Sequence, residues 1–227
     1  MKLDKPLNKY FDHTLLKPEA TNEQIEKLLE EAKEYDFYSV CVNTCYVKKC
    51  YDFLKDTDVK IAAVIGFPLG ACTIDTKVFE ANEAFKLGAS EVDMVLNVGR
   101  FKNKEYDYIL KDISSVVEAA KKYNGIVKVI LETCLLTKEE IKKACEISRD
   151  AGANFVKTST GFNTSGAKEE DVKLMKDSIS NNMEVKASGG IRDLEATLNM
   201  IKSGATRIGA SASVQIMKDY INKNMAD

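Results

Sequence analysis

The feature that most constrains the fold of this chain is a strand-like segment followed by a helix-like segment, repeated along its length. Eight β-rich runs recur, at Asp12–Leu16, Tyr38–Val42, Lys60–Gly66, Glu91–Asn97, Ile126–Glu132, Ala153–Thr158, Glu184–Ser188 and Thr206–Gly209. Helical patterns lie between them, at Thr21–Tyr35, Asp75–Leu87, Tyr106–Tyr123, Thr137–Ala151, Glu169–Asn181 and Leu194–Ser203. This alternation indicates βαβ units and a mostly parallel sheet.

The ends of several helices carry their own signals. Thr21 followed by Gln24, and Thr137 followed by Glu140, are capping boxes that predict helix starts. Three glycines occupy the position of a C-terminal cap just before the next strand: Gly88, Gly152 and Gly204. These signals support the boundaries read from the apolar pattern.

Eight such units predict a (β/α)₈ TIM barrel rather than an open sheet. The 227 residues suit one barrel domain over residues 1–227 with little room for more. The rival, a doubly wound sheet, usually carries a G-x-G-x-x-G or P-loop after its first strand, and neither motif occurs in this sequence. In a barrel, the carboxyl ends of the strands would carry the active site.

The composition excludes some partners. A net charge of −2 gives no electrostatic footprint for nucleic acid or an anionic membrane surface. No apolar run approaches a membrane span or the core of a signal peptide. The six cysteines form no CxxC pair, and we expect them to be reduced. We therefore expect a cytoplasmic protein.

Three predicted strands carry an ionisable residue among apolar neighbours, near the carboxyl end. These residues are Asp93 in the fourth strand, Lys157 in the sixth and Lys186 in the seventh. Parallel strands that are buried on both faces are nearly all apolar, and a buried charge is costly unless it is paired or functional. The three positions are therefore candidates for chemistry.

Lys157 and Lys186 would share the barrel mouth if the sixth and seventh strands are neighbours. Two lysines in one confined site are not both protonated cheaply, because a like charge and desolvation each favour the neutral amine. A neutral lysine is the nucleophile of Schiff-base chemistry. We expect Asp93 to keep Lys186 protonated, which leaves Lys157 as the nucleophile. A structural ion pair between Asp93 and one lysine remains the alternative, although the pattern favours catalysis.

Two glycine-rich turns, Ser188–Arg192 and Gly209–Ser213, follow the last two strands. Barrels often bind phosphate at these two loops, where glycine allows the backbone to approach the anion. Beside Lys157, the segment Thr158–Gly161 adds hydroxyl groups that suit substrate binding or helix capping equally. The sequence thus predicts a phosphate site at the barrel mouth.

His13 is the only histidine of the chain. A zinc enzyme normally needs several histidine or cysteine ligands, so we expect no metal. We interpret His13 as a hydrogen-bonding residue of the barrel mouth, and we expect no catalytic role for Cys41, which could face the same cavity.

Six sequence segments along the chain resemble those of the 2-deoxyribose-5-phosphate aldolase family in their residues and in their order. They lie at Asp12–Thr21, Glu91–Gly99, Lys128–Thr133, Phe155–Phe162, Val185–Arg192 and Arg207–Ala212. The pair KTSTG and K-x-x-GG-[IV]-R is highly specific. The resemblance implies a TIM barrel that acts as a class I, Schiff-base aldolase in the catabolism of deoxyribose phosphate.

The resemblance also implies roles for individual residues. Lys157, the lysine of KTSTG, would form the Schiff base. Lys186 would perturb Lys157, and Asp93 would relay protons with Lys186 through a water molecule. Asp12 and Thr160 match positions that line the site and bind substrate. The positions that match the phosphate end are Gly161, Gly189, Gly190, Arg192, Gly209 and Ser211.

The chain departs from some family members at three places. Phe162 follows KTSTG where some members have lysine, and Ala212 replaces a second serine. The resemblance implies that both changes remove potential contacts to phosphate. A C-terminal tyrosine used by some members has no clear counterpart in the tail Tyr220–Asp227.

The implied reaction cleaves 2-deoxy-D-ribose 5-phosphate reversibly to glyceraldehyde 3-phosphate and acetaldehyde. It needs no metal or organic cofactor, because the lysine imine serves as the electron sink. The implied ligands are small molecules, a sugar phosphate and acetaldehyde, and the sequence leaves the formation of a homo-oligomer open. The alternatives are another Schiff-base aldolase or transaldolase, a pyridoxal-phosphate barrel enzyme, and a non-catalytic sugar-phosphate-binding protein.

Overall fold

The computed structural model describes residues 3–179 and 182–226, and the parallel strands of these residues close into one barrel. The strands are β1 Phe11–Leu15, β2 Ser39–Asn43, β3 Lys60–Ile65, β4 Glu91–Val95, β5 Ile126–Ile130, β6 Phe155–Lys157, β7 Glu184–Ser188 and β8 Arg207–Ala210. Each strand pairs with the next one along the chain, and β8 pairs with β1. The predicted (β/α)₈ TIM barrel is thereby confirmed.

Helices follow the strands and surround the barrel. They are α1 Asn22–Glu34, α2 Val47–Leu54, α3 Ile74–Lys86, α4 Val98–Lys102, α5 Tyr106–Lys121, α6 Lys138–Asp150, α7 Glu169–Ser178, α8 Leu194–Lys202 and α9 Ser213–Ala226. Short 3₁₀ turns lie at Leu7–Tyr10, Thr44–Tyr46 and Thr133–Leu135. No helix in the described part of the chain is both long enough and apolar enough to span a bilayer.

The sequence patterns missed three of these helices, α2, α4 and α9. The eight residues of α2 bury Val47, Cys50 and Leu54, a helical spacing that extends over only about two turns. Conversely, β6 has three residues, shorter than the predicted run. The predicted end of α7 at Asn181 lies outside the described residues.

The predicted helix caps are present. Thr21 and Gln24 form a complete capping box, as do Thr137 and Glu140. Gly88 follows α3 with a φ of 108°, a backbone conformation that residues other than glycine rarely adopt. These caps define where α1 and α6 begin and where α3 ends.

Alternation along β4 and β7 separates an apolar outer face from a charged inner face. Val92 and Met94 of β4 belong to the core cluster that packs against the helices, whereas Asp93 between them faces the opposite side. In the same way, Val185 and Ala187 of β7 face outward and Lys186 faces inward. The charged residues of the strands therefore meet inside the barrel.

Candidate active site

Asp93 lies at the centre of the charged interior and contacts three lysines. Its Oδ2 accepts hydrogen bonds from Lys157 Nζ and Lys186 Nζ, each at 2.8 Å. Its Oδ1 accepts one from Lys128 Nζ at 2.7 Å. The structure thus brings together the three residues predicted to carry chemistry and adds Lys128.

Strand register explains this meeting. Lys157 lies directly beside Lys186 in the β6–β7 pair, and Asp93 lies directly beside Lys128 in the β4–β5 pair. All four side chains point into the barrel, because residues at equivalent register in neighbouring parallel strands share a face. The lysines can then approach the carboxylate from different sides.

Asp12 is a second carboxylate beneath the cavity. Lys186 Nζ donates to its Oδ2, while Arg207 donates to its Oδ1 at 2.8 Å and Ser39 Oγ does so at 2.7 Å. The side chain is fully buried and does not belong to the cavity wall. Direct contact of Asp12 with substrate stays a prediction, and the contacts observed here are to other protein groups.

Glu91 is the third carboxylate, and the sequence patterns did not single it out. It contacts Lys128 and, at 3.2 Å, Arg207. The guanidinium group of Arg207 also lies over the ring of Tyr38, 3.5 Å from its centroid. The signal that identified Asp93, a charge inside an apolar strand, is equally present for Lys128 and Arg207.

The contacts shift the acidity of the buried groups in opposite directions. Burial alone lowers the pKa of Lys186, but Asp12 and Asp93 outweigh burial, and the net effect is a raised pKa. Burial raises the pKa of Asp93, but Lys128 and the other two lysines hold it well below its usual range. The pKa of Asp12 is lowered in the same way, since Arg207 and Lys186 outweigh burial. Asp12 and Asp93 are therefore carboxylates, and Lys186 is an ammonium group.

The buried cluster holds three carboxylates and four cationic groups. They are Asp12, Glu91, Asp93, Lys128, Lys157, Lys186 and Arg207. Lys128, Lys186 and Arg207 each contact two carboxylates within 3.2 Å, whereas Lys157 contacts Asp93 alone. An unbalanced buried charge is costly, and with all four cationic groups charged the cluster would hold one positive charge in excess.

A cavity of about 450 Å³ opens at the carboxyl ends of β1, β6, β7 and β8. Lys157 lies on its wall, while Lys128 and Lys186 do not. The wall also contains all the residues predicted for phosphate, together with Thr160: Gly161, Gly189, Gly190, Arg192, Gly209 and Ser211. The predicted nucleophile and the predicted phosphate loops thus face one space.

Thr160 is fixed by a glutamate that sequence reasoning missed. Its hydroxyl donates to Oε2 of Glu132 at 2.5 Å, and its N–H donates to Oε1 at 3.1 Å. The same hydroxyl oxygen accepts a hydrogen bond from the N–H of Phe162 at 3.1 Å. These bonds hold the turn after Lys157 against the end of β5.

The loop after β7 presents unused backbone donors. Gly189 and Gly190 have φ angles of 85° and 77°, which suit glycine. The N–H groups of Gly189, Gly190 and Ile191 donate to no acceptor within residues 3–179 and 182–226. Backbone donors in such a turn form an anion-binding concavity.

His13 and Cys41 take no part in this cavity wall. His13 Nε2 lies 2.9 Å from Glu31 of α1, so the ring ties β1 to the helical layer rather than to the barrel mouth that we expected. Cys41 is buried with its Sγ 4.0 Å from Asp93 Oδ2, and burial raises the pKa of its thiol. A thiol with a raised pKa is a poor nucleophile.

A larger depression, of about 710 Å³, lies between helices on the outer surface. Thr73, Asp75, Arg100 and Lys111 are among the residues on its wall, and no strand contributes to it. It is separate from the strand ends, so we place the candidate site in the smaller cavity, which contains Lys157.

Comparison with known proteins identifies the family. Residues 7–218 match the model of the DeoC/LacD family aldolases. The chain belongs to this family. The deoxyribose-phosphate aldolase of Clostridium novyi is 60% identical over 218 residues, covering 96% of this chain and 98% of the relative. That of a Thermoanaerobacter species is 59% identical over 219 residues, with the same coverage.

Solved structures of this family have the same fold. A putative deoxyribose-phosphate aldolase from Coccidioides immitis matches with a TM-score of 0.92 at 45% identity, covering 97% of this chain and 88% of that one. A tetrameric deoxyribose phosphate aldolase from Aeropyrum pernix matches with a TM-score of 0.88 at 34% identity, covering 94% and 90% of the two chains. The sequence resemblance to the deoxyribose-phosphate aldolases is thereby confirmed, while the roles of the individual residues stay predictions.

Proposed function

We propose that this protein cleaves 2-deoxy-D-ribose 5-phosphate reversibly to D-glyceraldehyde 3-phosphate and acetaldehyde through a Schiff base on Lys157. The observation that carries the proposal is the position of Lys157. Of the three lysines around Asp93, it is the one on the cavity wall and the one that contacts a single carboxylate. The relatives of the protein, which are named deoxyribose-phosphate aldolases, support the choice of substrate.

The charge balance of the cluster supplies the nucleophile. A lysine attacks an aldehyde only as the neutral amine. With Lys157 neutral, three cations oppose three carboxylates, so the active form of the nucleophile is also the balanced form of the cluster. Asp12 acts as a positioning residue in this scheme, because it helps to keep Lys186 protonated.

The proposed reaction begins when Lys157 Nζ bonds to C1 of the open-chain sugar and water leaves. The 3-hydroxyl then loses its proton, the C2–C3 bond breaks, and glyceraldehyde 3-phosphate departs. The electron pair of that bond enters the protonated imine and gives an enamine, so the imine is the electron sink. Protonation at C2 and hydrolysis release acetaldehyde. We assign the proton transfers to Asp93 and Lys186, which lie beside Lys157.

The phosphate group has a complementary wall. Lys17 and Arg192 are on the cavity wall, and no aspartate or glutamate is among its residues in the described part of the chain. The unused N–H groups after β7 add neutral donors. Binding the phosphate away from the reacting carbons would orient C1 towards Lys157.

The test is to incubate the purified protein with deoxyribose 5-phosphate and measure both products. Glyceraldehyde 3-phosphate is followed by a coupled dehydrogenase and acetaldehyde by a separate assay, and we expect equal amounts. A transaldolase would transfer its carbon fragment and release no acetaldehyde. A sugar-phosphate-binding protein would release neither product, and that result would refute the proposal.

A further inference from the structure

The loop after β1 contributes a cation to the cavity that the predicted phosphate set does not include. Thr14, Leu15, Leu16 and Lys17 all lie on the cavity wall. Lys17 is exposed, whereas Leu16 before it is buried. The loop therefore turns at this point and leaves the lysine at the mouth.

Barrel closure places this loop next to the predicted phosphate loops. Gly209 of β8 lies beside Ser188 of β7 on one side and beside Asp12 of β1 on the other. The loop that carries Ser211 is therefore flanked by the β7 loop and the β1 loop. Arg192 lies in the first of these loops and Lys17 in the second, and both residues line the cavity together with Ser211.

The backbone that carries Lys17 is held in place. Asn43 Nδ2 donates to the carbonyl of Leu16 at 3.3 Å, and the N–H of Ala20 donates to the carbonyl of Lys17 at 3.2 Å. Tyr46 Oη donates to the carbonyl of Ala20 at 2.6 Å. The side chain of Lys17 thus extends from a fixed backbone, which lowers the entropy lost when it binds a ligand.

The ammonium group of Lys17 has no partner among the described residues. Lys17 forms no side-chain hydrogen bond or ion pair with the described residues. Across the cavity, the β6 side presents Phe162, whose ring packs edge-on against Phe67 at 5.3 Å between centroids. The described lining residues of the loop after β6, Thr160, Gly161 and Phe162, include no cation, so the side-chain charge at the phosphate end comes from the loops after β1 and β7.

We propose that Lys17 binds the phosphate group of the substrate together with Arg192 and selects phosphorylated over unphosphorylated aldehydes. This inference rests on the proposed function, since the anion it names is the phosphate of that substrate. Lys17 is a specificity-determining residue in this scheme and takes no part in the covalent steps.

The experiment compares Lys17→Met with Lys17→Arg and with Lys60→Met. Lys60 is an exposed lysine at the amino end of β3, at the opposite end of the barrel, so its loss matches the change in net charge. For each variant, kcat and KM are measured with deoxyribose 5-phosphate and with deoxyribose, and inhibition by inorganic phosphate is titrated.

We expect Lys17→Met to lower kcat/KM for the phosphorylated sugar by about 10- to 100-fold, mainly through KM, because a hydrogen bond to a charged group is lost. The value for deoxyribose should change little, phosphate should inhibit less, and Lys17→Arg should restore most of the loss. Lys60→Met should behave as wild type. Equal losses for the two sugars, or no loss for either, would refute the role of Lys17.

The two proposals fail in different ways. If the wild type binds inorganic phosphate but releases no products, the proposed function is wrong, and weaker phosphate binding by Lys17→Met still supports the phosphate site. If the wild type cleaves the substrate and Lys17→Met retains its full preference for the phosphorylated sugar, only the inference about Lys17 is wrong.

Discussion

Lys157 and Lys186 donate to the same oxygen, Oδ2 of Asp93, at 2.8 Å each. Two ammonium groups on one oxygen repel each other, and Lys186 has a second carboxylate, Asp12, that Lys157 lacks. Lys186 is therefore the lysine that keeps its proton. In the proposed mechanism, Lys186 is then the cation of the pair and Lys157 is the nucleophile.

The first prediction concerns the covalent intermediate. Borohydride added during turnover should reduce an imine on Lys157 to a stable secondary amine, because this amine faces the cavity. Peptide mass mapping locates the adduct. Lys157→Arg should trap nothing and lose activity, since a guanidinium stays protonated. An adduct on Lys186 would contradict the assignment.

The second prediction concerns the charge balance. Lys186→Met leaves three cations and three carboxylates in the cluster, so Lys157 becomes a required counterion and should keep its proton. We expect turnover at neutral pH to fall by about 10²- to 10⁴-fold, with loss of nucleophile and proton relay together. Activity should recover partly as pH rises, which a pH–rate profile measures.

Asp93→Asn is the companion variant, because it removes the oxygen that both lysines contact. It should be severely impaired as well. Wild-type turnover by Lys186→Met, or a pH profile that does not move, would show that the argument from two lysines is wrong.

The third prediction concerns the phosphate loop. Gly190→Glu places a carboxylate where the phosphate should bind, so KM for deoxyribose 5-phosphate should rise far more than KM for deoxyribose. A Cβ at Gly190 meets no atom within 4 Å, but its φ of 77° costs a non-glycine residue about 1–2 kcal/mol. Gly190→Ala carries the same strain without the charge and serves as the control. Equal losses for both sugars in Gly190→Glu would place the phosphate elsewhere.

The fourth prediction concerns a buried ion pair outside the site. Lys77 of α3 donates to Asp112 of α5 at 2.5 Å and to the carbonyl of Val95 at 2.9 Å, and both ionisable side chains are fully buried. Lys77→Met should lower the free energy of unfolding by about 3–5 kcal/mol, because Asp112 is left uncompensated. Urea denaturation measures this change.

The double variant Lys77→Met/Asp112→Leu distinguishes a paired charge from simple packing. It removes both charges and should recover most of the lost stability. Strictly additive losses in the double variant would mean that the two residues stabilise the protein independently.

The fifth prediction concerns His13, whose single ring can be followed by NMR. Burial lowers its pKa below 6.5 and outweighs the hydrogen bond to Glu31, which raises it. The unfolded chain therefore binds a proton first as pH falls, and the stability that His13 contributes above pH 6.5 is lost as pH drops towards the folded pKa. Glu31→Gln should lower the pKa further. A ring that titrates above 6.5 would contradict this prediction.

The sequence by itself determined the barrel and the central residues of the candidate site. Alternating strand and helix patterns with short turns leave few arrangements other than a closed parallel sheet. Asp93, Lys157 and Lys186 could be found because a charge inside an apolar strand violates the burial rule for such strands. The same rule also applied to Lys128, which the sequence analysis left unused.

Only the tertiary structure decided which charges meet. Arg207 contacts Asp12 across 195 residues of sequence because β8 closes on β1, and no local pattern contains that contact. The register of each strand pair sets the height of every inward side chain, so it decides that Lys157 contacts one carboxylate while its neighbours contact two. Ring closure likewise brings Lys17 beside the loops after β7 and β8. The sequence specifies the charged groups, but their pairing depends on distances that exist only when the barrel is closed.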